Sequence, residues 1–332
     1  MINTKKRLPV DEYVAGIRAH DRFVLSQAIT LVESSLPSDQ LLAASLLAAI
    51  VPLTGQAVRV GITGVPGVGK STFIESFGLM VTEQGKKLAV LAIDPSSQVS
   101  GGSIMGDKTR MERLSHDPLA YIRPSPARSS LGGVSRKTRE AMLLCEAAGH
   151  EVVFIETVGV GQSETAVHDM TDFFLLLMLA GAGDELQGIK KGIIEMADAV
   201  VINKADGDNA PKARLAQIEY QNALHLLPAA PSGWETKVLT CSALYQTGLP
   251  ALWQAIEQHQ DLVRANGWFA RRRQAQNLAW LHDTIRQQLT DRFYQHPAVA
   301  QQMAATEQAV AQGSAHAVNA AMELINVYLG RI

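Results

Sequence analysis

The stretch VRVGITGVPGVGKST, residues 58 to 72, constrains this chain more than any other. A short β-rich run passes without a spacer into the pattern G-x-x-x-x-G-K-[ST], and helical sequence follows from about Ser71. Such a strand–loop–helix turns successive backbone N–H groups and a positive helix end toward one point, which makes a cradle for phosphate oxygens. Gly64, Gly67 and Gly69 let the backbone curl, and Val65, Pro66, Val68 and Thr72 complete the loop. Lys70 offers a cation to the β- and γ-phosphates of a nucleotide, and the Ser71 hydroxyl is a candidate ligand for Mg²⁺.

Around this loop the texture is regular. Apolar β-rich runs occur at 58–63, 88–94, 121–124, 152–156, 173–180, 199–203 and 238–243, and amphipathic helical stretches separate them. The alternation predicts an α/β fold of the P-loop NTPase kind, a mostly parallel central sheet flanked by helices on both faces. Residues 11 to 50 read as helices, with Ser38 and Asp39 as cap candidates for the second stretch, and no strand signal appears after about Asn266. The expected layout is an N-terminal helical extension (1–55), a P-loop nucleotide-binding domain (56–262) and a C-terminal helical region (263–332). In the last of these, Leu278, Leu281, Ile285 and Leu289 fall at steps of 3, 4 and 4 on one helical face, which points to packing on the main domain or on a second copy of the chain.

The run 152–156 ends on a carboxylate. In phosphate-loop proteins a neighbouring strand ends in an acid that holds the magnesium, and a glycine shortly after it lets the backbone approach the γ-phosphate. Glu156 and Gly159 stand in that relation, with glutamate where aspartate is commoner. Two further acids, Asp94 and Asp107, lie in the glycine-rich loop 94–111 and are candidates for the outer sphere of the metal. This loop and the one at 180–192 are candidate switch elements, and Gln162 is not assigned to positioning the attacking water.

The base is chosen farther on. Asn203, Lys204 and Asp206 form N-K-x-D after a buried strand. The Asp206 carboxylate can accept from guanine N1–H and the 2-amino group, a donor pair that adenine lacks. Lys204 can lie along the base, and Asn203 can tie this loop to the phosphate loop. Ser242, Ala243 and Leu244, in CSAL, complete the order, with the Ala243 N–H placed to meet guanine O6. The reading is a GTP-binding protein whose default reaction is phosphoryl transfer to water.

Composition closes other routes. Thirty basic against 32 acidic residues give a net charge of −2, so no overall field exists to hold a nucleic acid, and the basic run Arg271 to Arg273 reads as a solvated face or a local contact. Cys145 and Cys241 are far apart in apolar surroundings, the pattern of small core residues in a reducing compartment. The nine histidines show no metal-ligand spacing. No apolar run is long enough to cross a bilayer, and the first residues lack the apolar core of a secretory signal, so a cytoplasmic location is expected.

With GVPGVGKST, LAIDPSS, GGSIMGDKTRM, ETVGVGQSE, GDELQGIKKGI, INKAD and CSAL in place, the chain resembles the MeaB-type GTPases across about residues 58 to 244. These are accessory proteins of cobalamin-dependent methylmalonyl-CoA mutase, also called ArgK or LAO/AO transport kinases. The resemblance implies a homodimeric GTPase that cycles between GTP and GDP, docks on the mutase, gates delivery of adenosylcobalamin and protects or reloads the enzyme. It implies Mg²⁺ ligation involving Ser71, Asp94, Asp107 and Glu156, and a nucleotide contact from Lys190 in a third switch loop. Lys70, Glu156 and Lys190 are thus the expected catalytic set. Two other readings, a kinase acting on a transport-binding protein and a metal-delivery GTPase, would show as label on an acceptor protein or as bound nickel or zinc.

Overall fold

The computed structural model describes residues 7–93, 111–124, 131–157, 164–181 and 191–331. Its centre is a seven-stranded sheet in the order β3-β2-β4-β1-β5-β6-β7, and every pairing between these strands is parallel. The strands are β1 (Val58–Gly64), β2 (Leu88–Ile93), β3 (Ala120–Pro124), β4 (Val152–Thr157), β5 (Phe173–Leu179), β6 (Ala199–Asn203) and β7 (Lys237–Thr240). All seven apolar runs are strands. The last is shorter than the run 238–243, because after Thr240 the chain turns and Ser242 pairs with Thr247 in an antiparallel bridge.

Parallel strands need crossovers, and the helical stretches supply them. The helix after β1, α4 (Lys70–Glu83), lays Phe73 and Phe77 on the sheet. Phe77 stacks on Phe154 of β4 with ring centroids 5.3 Å apart and meets Trp253 edge-on. On this face Val60 and Ile62 join Val152 and Phe154, so the alternate residues Arg59, Gly61 and Thr63 face the other side. There Gly61 is required by close approach: a Cβ on it would lie 2.8 Å from both Val167 and Phe174. A second cluster joins Leu176, Met178, Val200 and Ile202 to Ala213, Ala216 and Tyr220 of the helix Ala210–Leu224.

The N-terminal segment forms three helices, α1 (Val10–Arg18), α2 (Arg22–Glu33) and α3 (Pro37–Ile50). The stretch before residue 35 breaks in two because His20 takes a left-handed conformation, φ 59°, and Asp21 caps the next helix, its carboxylate accepting from Phe23 N and Val24 N. The third helix is capped at Leu36, two to three residues before the expected Ser38 and Asp39 caps. Pro37 occupies its first turn, and the Asp39 carboxylate instead receives the Arg7 guanidinium at 2.6 and 3.1 Å.

The chain divides into two compact units, Met1–Gln274 and Ala275–Ile332. In the first, Arg273 of the long helix α11 (Trp268–Gln295) makes a two-pronged ion pair with the buried Asp172, at 2.6 and 2.7 Å, and donates to Ala57 O. Arg272 donates to the carbonyls of Thr171 and His168, so Arg272 and Arg273 make tertiary contacts with residues distant in sequence rather than a solvated face, while Arg271 is exposed and has a local contact, over the Trp268 ring. In the second unit, α12 (Pro297–Ala311) packs with α13 (Ala317–Tyr328). Cys145 and Cys241 are both buried and free. Among the described residues no helix is long and apolar enough to cross a membrane.

Candidate nucleotide-binding site

The carboxyl ends of β1, β4, β5 and β6 lie side by side along one edge of the sheet. Ligands of open α/β sheets bind at such an edge, where neighbouring crossovers leave to opposite faces. The phosphate loop leaves β1 here. Gly64 ends the strand so close to β5 that a Cβ would sit 2.5 Å from Leu177 O, and Gly69, at φ 88°, turns the chain into α4. Within the loop Val68 is buried, Pro66, Gly67 and Thr72 are exposed, and Val65, Lys70 and Ser71 are half-buried. Lys70 Nζ folds back over the loop and donates to Gly64 O at 2.8 Å and Val65 O at 3.4 Å. Burial pushes its pKa below the ordinary lysine value, and the charges of Glu156 and Glu164 act in the opposite sense.

Glu156 sits at the tip of β4, paired in register with Ile62 on one side and Ala92 on the other. Its neighbour Thr157 is fully buried and donates to the hydroxyl of Thr63, 2.8 Å away. The Glu156 carboxylate and the Ser71 hydroxyl are hard oxygen donors, the kind that Mg²⁺ takes, so these side chains fit that ion. Asp94, Asp107, Gly159, Gln162 and Lys190 lie outside the described residues, as does most of both switch-loop candidates.

At the far end of the edge, Asn203 closes β6 with its side chain buried. Its amide donates to Val68 O of the phosphate loop at 2.9 Å, and its carbonyl oxygen accepts from Ala243 N at 3.1 Å. Lys204, left-handed at φ 57°, reaches Gly67 O with its ammonium at 2.9 Å. The Ser242 hydroxyl donates to the Asp206 carboxylate and accepts from Tyr245 N. Leu244 is exposed beside them. Thus residues 64–72, 203–206 and 242–244 form one contiguous set of loops. A bond not foreseen from spacing adds to it, since Ser76 of α4 donates to Ala243 O at 2.7 Å.

Residues 25–298 match the family described as Methylmalonyl Co-A mutase-associated GTPase MeaB. This chain belongs to that family. Similar proteins include the GTPase ArgK of Escherichia coli, 49% identical over 85% of this chain and 86% of the relative. The mitochondrial methylmalonic aciduria type A homolog of Mus musculus is 45% identical over 99% of this chain and 82% of the relative. A crystal structure of a LAO/AO transport system kinase, 38% identical, aligns over 98% of this chain and 100% of that one with a TM-score of 0.75. The chain is thus a MeaB-family GTPase on a P-loop fold.

Two pairs of residues and one single glutamate escaped the sequence reading. Thr63 and Thr157 carry no spacing signal, because threonine is an ordinary strand former. Glu164, buried at the start of the short helix α7 (Glu164–His168), belongs to ETVGVGQSE, yet only the fold brings its charge within reach of Lys70. Glu146 and Arg59, a buried ion pair between the helix α6 (Leu131–Ala147) and β1, are more than eighty residues apart in sequence.

Proposed function

We propose that this chain binds GTP with Mg²⁺, hydrolyses it to GDP and phosphate, and serves an adenosylcobalamin-dependent acyl-CoA mutase of the methylmalonyl-CoA type. In that role it gates delivery of the cofactor and protects or reactivates the mutase. The observation that carries the nucleotide reading is Asn203, whose one buried amide joins the phosphate loop to the Ala243 N–H. The two recognition ends are thereby held at a set separation. The mutase role rests on the family description and on the name of the mouse relative.

The chemistry follows from the parts. The N–H groups of the phosphate loop and the Lys70 ammonium surround the β- and γ-phosphates and stabilise charge as the γ-phosphoryl group leaves toward water. When bound, Mg²⁺ neutralises charge across the two phosphates; Ser71 and Glu156 would hold it, with Asp94 and Asp107 in its outer sphere and Lys190 as a further nucleotide contact. Asp206 accepts from the guanine edge, with Ser242 steadying its carboxylate. Lys204 lies along the base, and Ala243 and Leu244 border it. The catalytic residues of this reading are Lys70, Glu156 and Lys190.

The same reading includes a homodimer. Leu278, Leu281, Ile285 and Leu289 of α11 are all exposed, as are Val318, Met322 and Ile325 along α13 and Leu329 just after it. We assign residues 1–55, 56–262 and 263–332 to the helical extension, the nucleotide domain and the dimerisation region. Calorimetry of GTP into the protein with Mg²⁺, followed by phosphate release and by cofactor loading of purified mutase, tests the reading. Expected are saturable heat, phosphate release, and loading that depends on GTP. Absence of heat overturns the site, and loading indifferent to the protein overturns the partner. Radiolabel from γ-phosphate appearing on an acceptor protein would favour a kinase.

A further inference from the structure

The side-chain hydrogen bond between Thr157 and Thr63 lies where two functional strands part. Main-chain pairing of β1 with β4 runs from Val58 and Val152 to Ile62 and Glu156, and that is the last matched pair. One residue farther, Thr63 leads directly into Gly64 of the phosphate loop, while Thr157 follows Glu156. Their hydroxyls meet at 2.8 Å with Thr157 donating, and the two residues are 2% and 0% exposed. The side chains thus carry the pairing one step past the end of the ladder.

Packing alone does not call for this pair. Valine has the same shape and a similar strand preference, and a buried hydroxyl costs free energy unless it is paired. What the pair adds is a directional tie between the root of the phosphate loop and the tip that bears Glu156. By the alternation of the pleat, Glu156 faces the same side as Phe154 and α4, and the threonines face the opposite side, so the tie does not engage the Glu156 carboxylate itself. Displacement of a charged ligand by about 1 Å is enough to lower the efficiency of an active site severely.

We propose that Thr157 and Thr63 are positioning residues for the metal–phosphate site: their hydrogen bond sets the distance between the Glu156 carboxylate and the phosphate loop, and so sets the affinity for Mg²⁺ of the nucleotide-bound protein. The inference rests on the proposed GTP and Mg²⁺ site.

The test is retention of a fluorescent GDP analogue by the full-length protein across a titration of free Mg²⁺, with affinity in EDTA and thermal midpoint measured alongside. Thr157→Val is expected to raise the Mg²⁺ midpoint about fivefold, the factor carried by one neutral hydrogen bond, and to leave the affinity in EDTA within about twofold. Thr157→Ser, which keeps the hydroxyl, is expected to retain the wild-type midpoint. The double variant Thr63→Val/Thr157→Val has no orphaned hydroxyl, so it should regain thermal stability lost by the single variant yet keep the raised Mg²⁺ midpoint. A wild-type midpoint in Thr157→Val or in the double variant overturns the proposal, as does an equal loss of affinity in EDTA. Wild-type protein whose GDP retention ignores Mg²⁺ would instead overturn the reading of the site on which the proposal stands.

Discussion

In the proposed GTP site Asp206 and Lys70 stand at the two ends of the same ligand, and each gives that proposal a chemical signature of its own. The Asp206 carboxylate holds a hydrogen bond from Ser242 and keeps acceptor capacity for a base edge. Each hydrogen bond to a charged group contributes about 1.5–3 kcal/mol, so Asp206→Asn should weaken GTP binding by about a hundredfold and strengthen binding of xanthosine triphosphate. Competition between the two nucleotides measures it, and unchanged GTP affinity would remove the guanine assignment. Lys70 is half-buried with its pKa depressed by desolvation. Its ammonium is therefore lost at a lower pH than that of an exposed lysine. On the alkaline side GTP binding should weaken early and take up a proton, visible as a binding heat that depends on the ionisation heat of the buffer. Lys70→Ala should abolish tight binding at every pH.

Elements were legible where one local signal dominates. Each parallel strand reads as an apolar run because helices cover both its faces, and β1 announces itself through the loop that follows it. Boundaries that depend on contacts distant in sequence were not legible. Asp39 looks like a cap until Arg7 claims it, the first helical stretch divides at a left-handed His20, and the run 238–243 loses its last residues to the bridge between Ser242 and Thr247. The same limit hid the Thr63–Thr157 bond, which joins residues 94 apart. At the element scale Gly64→Ala is expected to cost about 2–4 kcal/mol, since its Cβ would press on the Leu177 carbonyl at 2.5 Å, and to weaken nucleotide binding with it. Chemical denaturation checks the first effect and calorimetry the second. His150, between α6 and β4, donates from Nδ1 to Cys145 O at 2.9 Å, and burial lowers its pKa from 6.5 to about 4. The unfolded chain binds this proton more readily than the native one. Stability is therefore lost as pH falls from 6.5 toward 4, by up to about 3 kcal/mol, and His150→Gln should flatten that part of the stability–pH curve.

Over the whole molecule the net charge of −2 leaves association to apolar surface. On α11 the residues Leu278, Leu281, Ile285 and Leu289 are 60%, 53%, 47% and 56% exposed, and α13 with the Leu329 that follows it presents a second stripe of four. Covering a large apolar side chain contributes about 1.5–3 kcal/mol when it starts fully exposed, and roughly half of that here. Association costs on the order of 4–15 kcal/mol, so one stripe alone falls near balance and both stripes on both copies exceed it. A stable dimer therefore needs α11 and α13 together. Leu281→Glu/Ile285→Glu is expected to give a monomer by light scattering, because a carboxylate buried in an apolar seam is strongly unfavourable. GTP affinity should change by less than about twofold, since the substitutions fall among residues 275–332 and the nucleotide loops among 64–244. A variant that stays dimeric, or a wild-type protein that is monomeric at micromolar concentration, would remove the dimer assignment and leave the nucleotide site untouched.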